Sequence, residues 1–153
     1  MLKHSNRILF RLTLLCFFCY LALLSYLLFF SNYRASVSGT FSYNLLPFKT
    51  IAGYFSTFRG GSPADQFFGN ILAFMPLGFF LPLVTRRSYS AGKILVVSAL
   101  TSFGIESAQL LFLVGAFDVD DLILNTVGGL FGSFVLKGFV KLFRQFSSNN
   151  STS

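Results

Sequence analysis

The chain has 153 residues, 54% of them apolar and 11% charged, with 12 Lys and Arg against five Asp and Glu and a mean hydropathy of +0.68. A soluble domain covers itself with a surface roughly a quarter charged, so this composition excludes an ordinary water-soluble fold and indicates an integral membrane protein. Despite a pI near 9.8, the basic residues are scattered rather than gathered with aromatics in a patch, so the expected partner is the lipid bilayer and not nucleic acid.

A helix crossing a hydrocarbon core of about 30 Å needs about 20 apolar residues. Four stretches approach this, and we read spans over about 12–33, 64–85, 94–116 and 119–140, an all-α four-helix membrane bundle. The first span reads as a signal anchor. Its apolar run exceeds the roughly 7–15 residues of a cleaved leader, and no small-x-small cleavage site follows. Cys16 and Cys19 within it have the spacing of a redox pair, but in lipid they serve as small apolar residues. The long connection, residues 34–65, carries Ile51, Tyr54, Phe55 and Phe58 at i, i+3, i+4 and i+7. This stripe predicts a short amphipathic helix lying in the membrane interface after a turn at Pro47. Gly60-Gly61 ends it, and Ser62-Pro63-Ala64-Asp65 supplies an N-cap, a Pro at N1 and an acid at N3 for the second span. Pro76 and Pro82 each remove a hydrogen bond from that span, predicting a kink near Pro76 whose freed carbonyl needs an outside partner. One membrane domain is expected over residues 1–146, and the Ser/Asn-rich residues 147–153 read as a disordered tail.

Orientation follows from the loops. Lys3, Arg7, Arg11, Arg86, Arg87, Lys93, Lys137, Lys141 and Arg144 flank one side of the spans, against Arg34, Lys49 and Arg59 on the other. Retention of Lys and Arg in the cytoplasm then places both termini inside.

Four of the five carboxylates, Glu106, Asp118, Asp120 and Asp121, fall within 16 residues. Charge near a bilayer core is costly, so the cluster needs a reason. Ser98, Ser102, Glu106 and Gln109 fall at i, i+4, i+8 and i+11, one face of the third span, which must turn into the bundle. There Glu106 needs a hydrogen-bond partner, and Gln109, one turn away, is a candidate partner or co-ligand. In the fourth span Asp121 and Asn125 share a face, while Gly128 with Gly132 and Gly129 with Ser133 form small-xxx-small rows for close helix packing. Asp118 can act as an N-cap and Asp121 as an N3 acid, which leaves Asp120 the aspartate with least structural explanation. Only about 22 Å of helix separates Asp121 from Lys137, short of the core thickness, so either Lys137 snorkels or Asp121 lies below the surface.

By depth, Asn70, Glu106, Gln109 and Asn125 join the aspartates in a candidate pocket opening outward. The only histidine, His4, is at the other end, which excludes a His-dependent zinc site or a Ser-His-Asp triad there. Carboxylate and amide oxygens suit Ca²⁺ or Mg²⁺, but no ligand spacing matches a known site, so no cofactor is assigned.

Four segments in order, Asn44-Leu45-Leu46-Pro47-Phe48, Gly69-Asn70 through Pro76-Leu77-Gly78, Ile105-Glu106-Ser107-Ala108-Gln109, and Asp118-Val119-Asp120-Asp121 through Asn125-Thr126-Val127-Gly128-Gly129, resemble the signatures of the VanZ-like family. The resemblance covers roughly residues 10–140. It implies a multi-pass protein of the bacterial plasma membrane, in a family whose founding member is associated with resistance to the lipoglycopeptide teicoplanin. Its signature positions here are Asn44, Pro47, Phe48, Asn70, Pro76, Gly78, Glu106, Gln109, Asp118, Asp121, Asn125, Gly128 and Gly129, and no catalytic assignment comes with them.

Three classes of function are open at this point. The first is a non-enzymatic envelope protein whose outward pocket binds or screens an envelope precursor or lipoglycopeptide, since cytosolic nucleotides cannot reach that face and no phosphate-cradling loop is present. The second is an intramembrane metal-assisted enzyme acting on a lipid-linked envelope precursor, with Glu106 as acid or base and the aspartates as ligands. The third is a small channel or proton-coupled transporter, for which four short spans leave little room.

Overall fold

The computed structural model describes residues 2–30, 42–56 and 63–149. In chain order these form α1 (Leu2–Phe29), β1 (Tyr43–Asn44), α2 (Lys49–Ser56), α3 (Pro63–Thr85), α4 (Ala91–Leu111), β2 (Phe117–Asp118) and α5 (Val119–Asn149). Helices α1, α3, α4 and α5 are each long and apolar enough to cross a membrane, so the chain is a multi-pass membrane protein. Leu12, Leu15, Phe18 and Leu23 of α1 are all more than half exposed, as the lipid-facing side of a membrane helix is. Cys16 and Cys19 are free and exposed on the same helix.

Helix α5 is the centre of the bundle, with α3 on one side and α4 on the other, and α1 lies against α3. The α3–α5 contact is a backbone contact. A Cβ built on Gly128 would overlap the Ile71 carbonyl, one on Gly132 the Met75 carbonyl, and one on Gly78 the Gly129 carbonyl. The small-xxx-small row of Gly128 and Gly132 thus docks on Ile71 and Met75, also four apart, and the helices run parallel. Gly129 of the other row turns to α4, where a Cβ would strike the Ser98 side chain. Pairing of Asn70 with Asp121, Gln109 with Leu28, and Arg86 with the Phe10 ring sets the ends. The N-termini of α3 and α5 share one end with the C-termini of α1 and α4.

Pro76 has no N–H for the α3 ladder. One residue past the carbonyl it would have reached, Ala73 O accepts the Tyr20 hydroxyl of α1 at 2.8 Å. The bond ties α1 to α3 one residue from the carbonyl that Pro76 leaves without a helical donor.

Several expected boundaries move. The first span starts earlier and its helix ends at Phe29; residues 31–33 of the expected span lie outside the described residues. The loop helix forms over Lys49–Ser56, although Phe58 of its stripe lies outside the described residues. Pro63 opens α3 at the first helical position, and its expected cap Ser62 is not described. Helix α5 runs to Asn149, so Ser147, Ser148 and Asn149 are helical rather than a disordered tail, and residues 150–153 lie outside the described set.

The third span also closes early, at Leu111, instead of near residue 116. Val114 N–H bonds to Gln109 O at 3.0 Å and Leu113 N–H to Leu110 O at 3.2 Å. This is the paired helix stop that normally places glycine in the left-handed region, and here Leu113 occupies it with φ 55°. A left-handed non-glycine residue costs about 1–2 kcal/mol. Leu113→Gly is therefore expected to stabilise the detergent-solubilised protein by about 1 kcal/mol, read as a higher melting temperature, while Leu113→Val should lower it. An unchanged melting temperature for both would refute the strained stop.

Candidate functional site

The polar stripe of α4 is buried as its spacing requires: Ser98, Ser102, Glu106 and Gln109 all face the bundle. Glu106 is 2% exposed and Gln109 fully buried. Each polar group in this layer is joined to a different neighbour. Asn125 Nδ2 donates to Ser102 Oγ at 2.9 Å, tying α5 to α4. Asn70 Nδ2 donates to Asp121 Oδ1 at 2.6 Å, tying α3 to α5. Glu106 Oε2 accepts the Asp118 N–H at 3.2 Å. Gln109 does not pair with Glu106 as expected; its Nε2 donates to Leu28 O at 2.9 Å, in the last turn of α1, where carbonyls lack helical partners. Among the described residues, the Gln109 Oε1 has no hydrogen-bond partner.

The aspartates at the start of α5 do something the sequence reading missed. Asp118 is the N-cap it was expected to be, with Oδ1 accepting the Asp120 N–H at 2.8 Å. The same carboxylate also takes Asn44 Nδ2 at 3.1 Å and the Thr50 hydroxyl at 2.6 Å, and Asn44 Nδ2 donates to Thr50 Oγ1 at 3.0 Å.

Asp120, the aspartate with least structural explanation in the sequence, has a specific role. Its Oδ1 accepts the Phe48 N–H at 2.6 Å, and its Oδ2 accepts Thr50 N–H at 2.7 Å and Ile51 N–H at 3.1 Å. It is fully buried. These are the amides at the start of α2, so Asp120 caps that helix from across the fold, with its negative charge at the positive end of the dipole. The cap is needed because the residue in the capping position is Phe48, which has no oxygen to offer and sits at φ 66°. The missing signal was in the loop: a helix beginning after Pro47-Phe48 has no capping side chain of its own, and a buried aspartate elsewhere supplies it.

Residues 42–56 thus form a strap over this end of the bundle. Parallel pairing of Tyr43 with Phe117 and Asn44 with Asp118 adds a backbone clasp, and the Phe117 N–H donates to Ser42 O at 3.1 Å. Tyr54 of α2 reaches Gln66 of α3 at 3.1 Å. The structure therefore brings Asn70, Glu106, Asp118, Asp120, Asp121 and Asn125 into one polar layer under the strap and sends the Gln109 amide to α1. Among the described residues, no three His, Cys, Asp or Glu form a metal-holding group.

The profile of the VanZ/LLP1 family matches residues 17–143, most of the chain. The chain belongs to the VanZ/LLP1 family. Neither a curated protein nor a solved structure matches it. In this VanZ/LLP1 chain the four signature segments correspond to parts of one construction. Asn44 and Phe48 are the strap, Glu106 and Gln109 the buried stripe of α4, and Asn70 with Asp121 the α3–α5 tie. Gly78, Gly128 and Gly129 allow the backbones to meet.

Proposed function

We propose that the chain is a non-enzymatic envelope protein of the bacterial plasma membrane, with both termini in the cytoplasm and the strapped polar end outward. There it binds a lipid-linked envelope precursor or a lipoglycopeptide such as teicoplanin and lowers susceptibility to it. The observation that carries the non-enzymatic reading is the occupation of Asp118 and Asp120. Both oxygens of each accept donors from within the fold, so neither is poised as a general base or metal ligand. The carboxylate and amide oxygens of the polar layer suit a ligand rich in hydroxyl and amide donors.

The test is teicoplanin susceptibility of cells expressing Glu106→Gln, Asp121→Asn or Asn125→Ala at matched protein level. Loss of protection is expected from at least one variant that still folds. Wild-type susceptibility from all three would sink the reading. Turnover of a lipid-linked precursor by the purified protein, abolished by Glu106→Gln, would favour the enzymatic alternative instead.

A further inference from the structure

The end of the bundle away from the strap holds a cavity of about 670 Å³ between the α3–α4 turn and one face of α5. Most of its α5 wall, Ser133 to Lys141, lies alongside the last turns of α3, and Arg144 and Gln145 reach past them. Gly132 is level with Met75, so Thr85, where α3 stops, is level with about residue 142, and α5 continues for roughly 10 Å beyond. Pro82, Leu136 and Val140 give this cleft an apolar wall, and Arg87, Lys137, Lys141 and Arg144 line it with positive charge.

Two features separate it from a scatter of topogenic charges. First, the cations come from two remote segments that converge on one concavity: Arg87 from the turn, and Lys137, Lys141 and Arg144 from i, i+4 and i+7 of α5. Second, no carboxylate lines it, and none of the four cations makes an ion pair among the described residues. The Lys137 ammonium lies 5.6 Å from the Phe134 ring centre, which with the cleft explains how a lysine is tolerated at its depth. Lys141, about 30 Å of helix from Asp121, stands a full hydrocarbon thickness from the polar end.

We propose that this cleft is a binding site for one anionic phospholipid of the inner leaflet. Its phosphate lies among Arg87, Lys141 and Arg144, and an acyl chain lies along Pro82, Leu136 and Val140. The charge complements a phosphodiester, and the apolar wall fits a tail that a free anion lacks. Basic pockets beside membrane helices on the cytoplasmic side recognise lipid headgroups in this way, and the nine-to-three distribution of Lys and Arg puts this end there. The site rests on the orientation proposed above, but not on what the strapped end binds.

The test uses the full-length purified protein, with native mass spectrometry following retention of phosphatidylglycerol against phosphatidylcholine of identical acyl chains. One phosphatidylglycerol is expected to be retained in preference. Combined Arg87→Gln, Lys141→Gln and Arg144→Gln should weaken it by about a hundredfold, at about fivefold per cation. Arg7→Gln, Arg11→Gln and Lys93→Gln together remove equal charge outside the cleft and should leave it nearly unchanged. Val140→Trp keeps every cation but fills the apolar slot, so it should lose the lipid with the flanking charges unaltered. Equal loss in both charge triples, no preference between the two lipids, or displacement by millimolar inorganic phosphate would each overturn the proposal.

Discussion

Asp120→Ala is expected to free the strap from the bundle. The substitution leaves the Phe48, Thr50 and Ile51 amides without their acceptor and removes the charge that faces the α2 dipole. Hydrogen bonds to a charged group contribute about 1.5–3 kcal/mol each and are not additive, so a local loss of about 3–5 kcal/mol is reasonable. Phe48 adds to this, because its left-handed backbone is held only while the cap is in place. Amide exchange over residues 48–56, followed in detergent or nanodiscs, should accelerate by two or more orders of magnitude. The helices α3 to α5 should keep their protection, since their glycine contacts are untouched. Asp120→Asn retains one acceptor oxygen and should fall between. Unchanged exchange in Asp120→Ala would refute the trans cap.

The second large effect is expected at Gly132. A Cβ there has no room against the Met75 carbonyl, and backbone cannot rotate aside as a side chain can, so α3 and α5 must separate. Overpacking of this kind costs about 1–3 kcal/mol, and more where backbone is displaced. Gly132→Ala should therefore destabilise the purified protein by about 2–4 kcal/mol in an SDS-titration unfolding experiment. Gly138 is on the same helix with nothing near its missing Cβ. Gly138→Ala should be neutral or stabilising by up to about 1 kcal/mol, the ordinary helix preference for alanine. The pair isolates close approach from propensity, and equal effects at the two sites would disprove the contact.

Much of the bundle was legible because membrane helices are governed by length, hydropathy and small residues. The stripe of Ser98, Ser102, Glu106 and Gln109 pointed inward as its spacing required, and the glycine rows found partners. What escaped was set by tertiary pairing. Asp120 was indistinguishable from surplus charge because its three donors lie some 70 residues earlier in the chain. The Gln109 partner is a carbonyl of α1, and carbonyls leave no mark in a residue pattern. The early end of α4 was hidden because Leu113 stands where glycine usually announces a stop. Tyr20 lies in an apolar span with nothing to single it out, yet its hydroxyl bonds the Ala73 carbonyl of the next span.

The strap also sets an order of assembly. Its residues are synthesised between the first and second spans, but the carboxylates that hold it belong to the fourth, and bonds joining positions 68–74 residues apart cannot form until that span has entered the membrane. Until then α2 has no cap and Asn44 lacks its aspartate partner. A chain that inserts its last helix wrongly, or loses it, therefore carries an unfastened loop. Fastening of this loop is a report, legible from outside the bundle, that the final span has arrived.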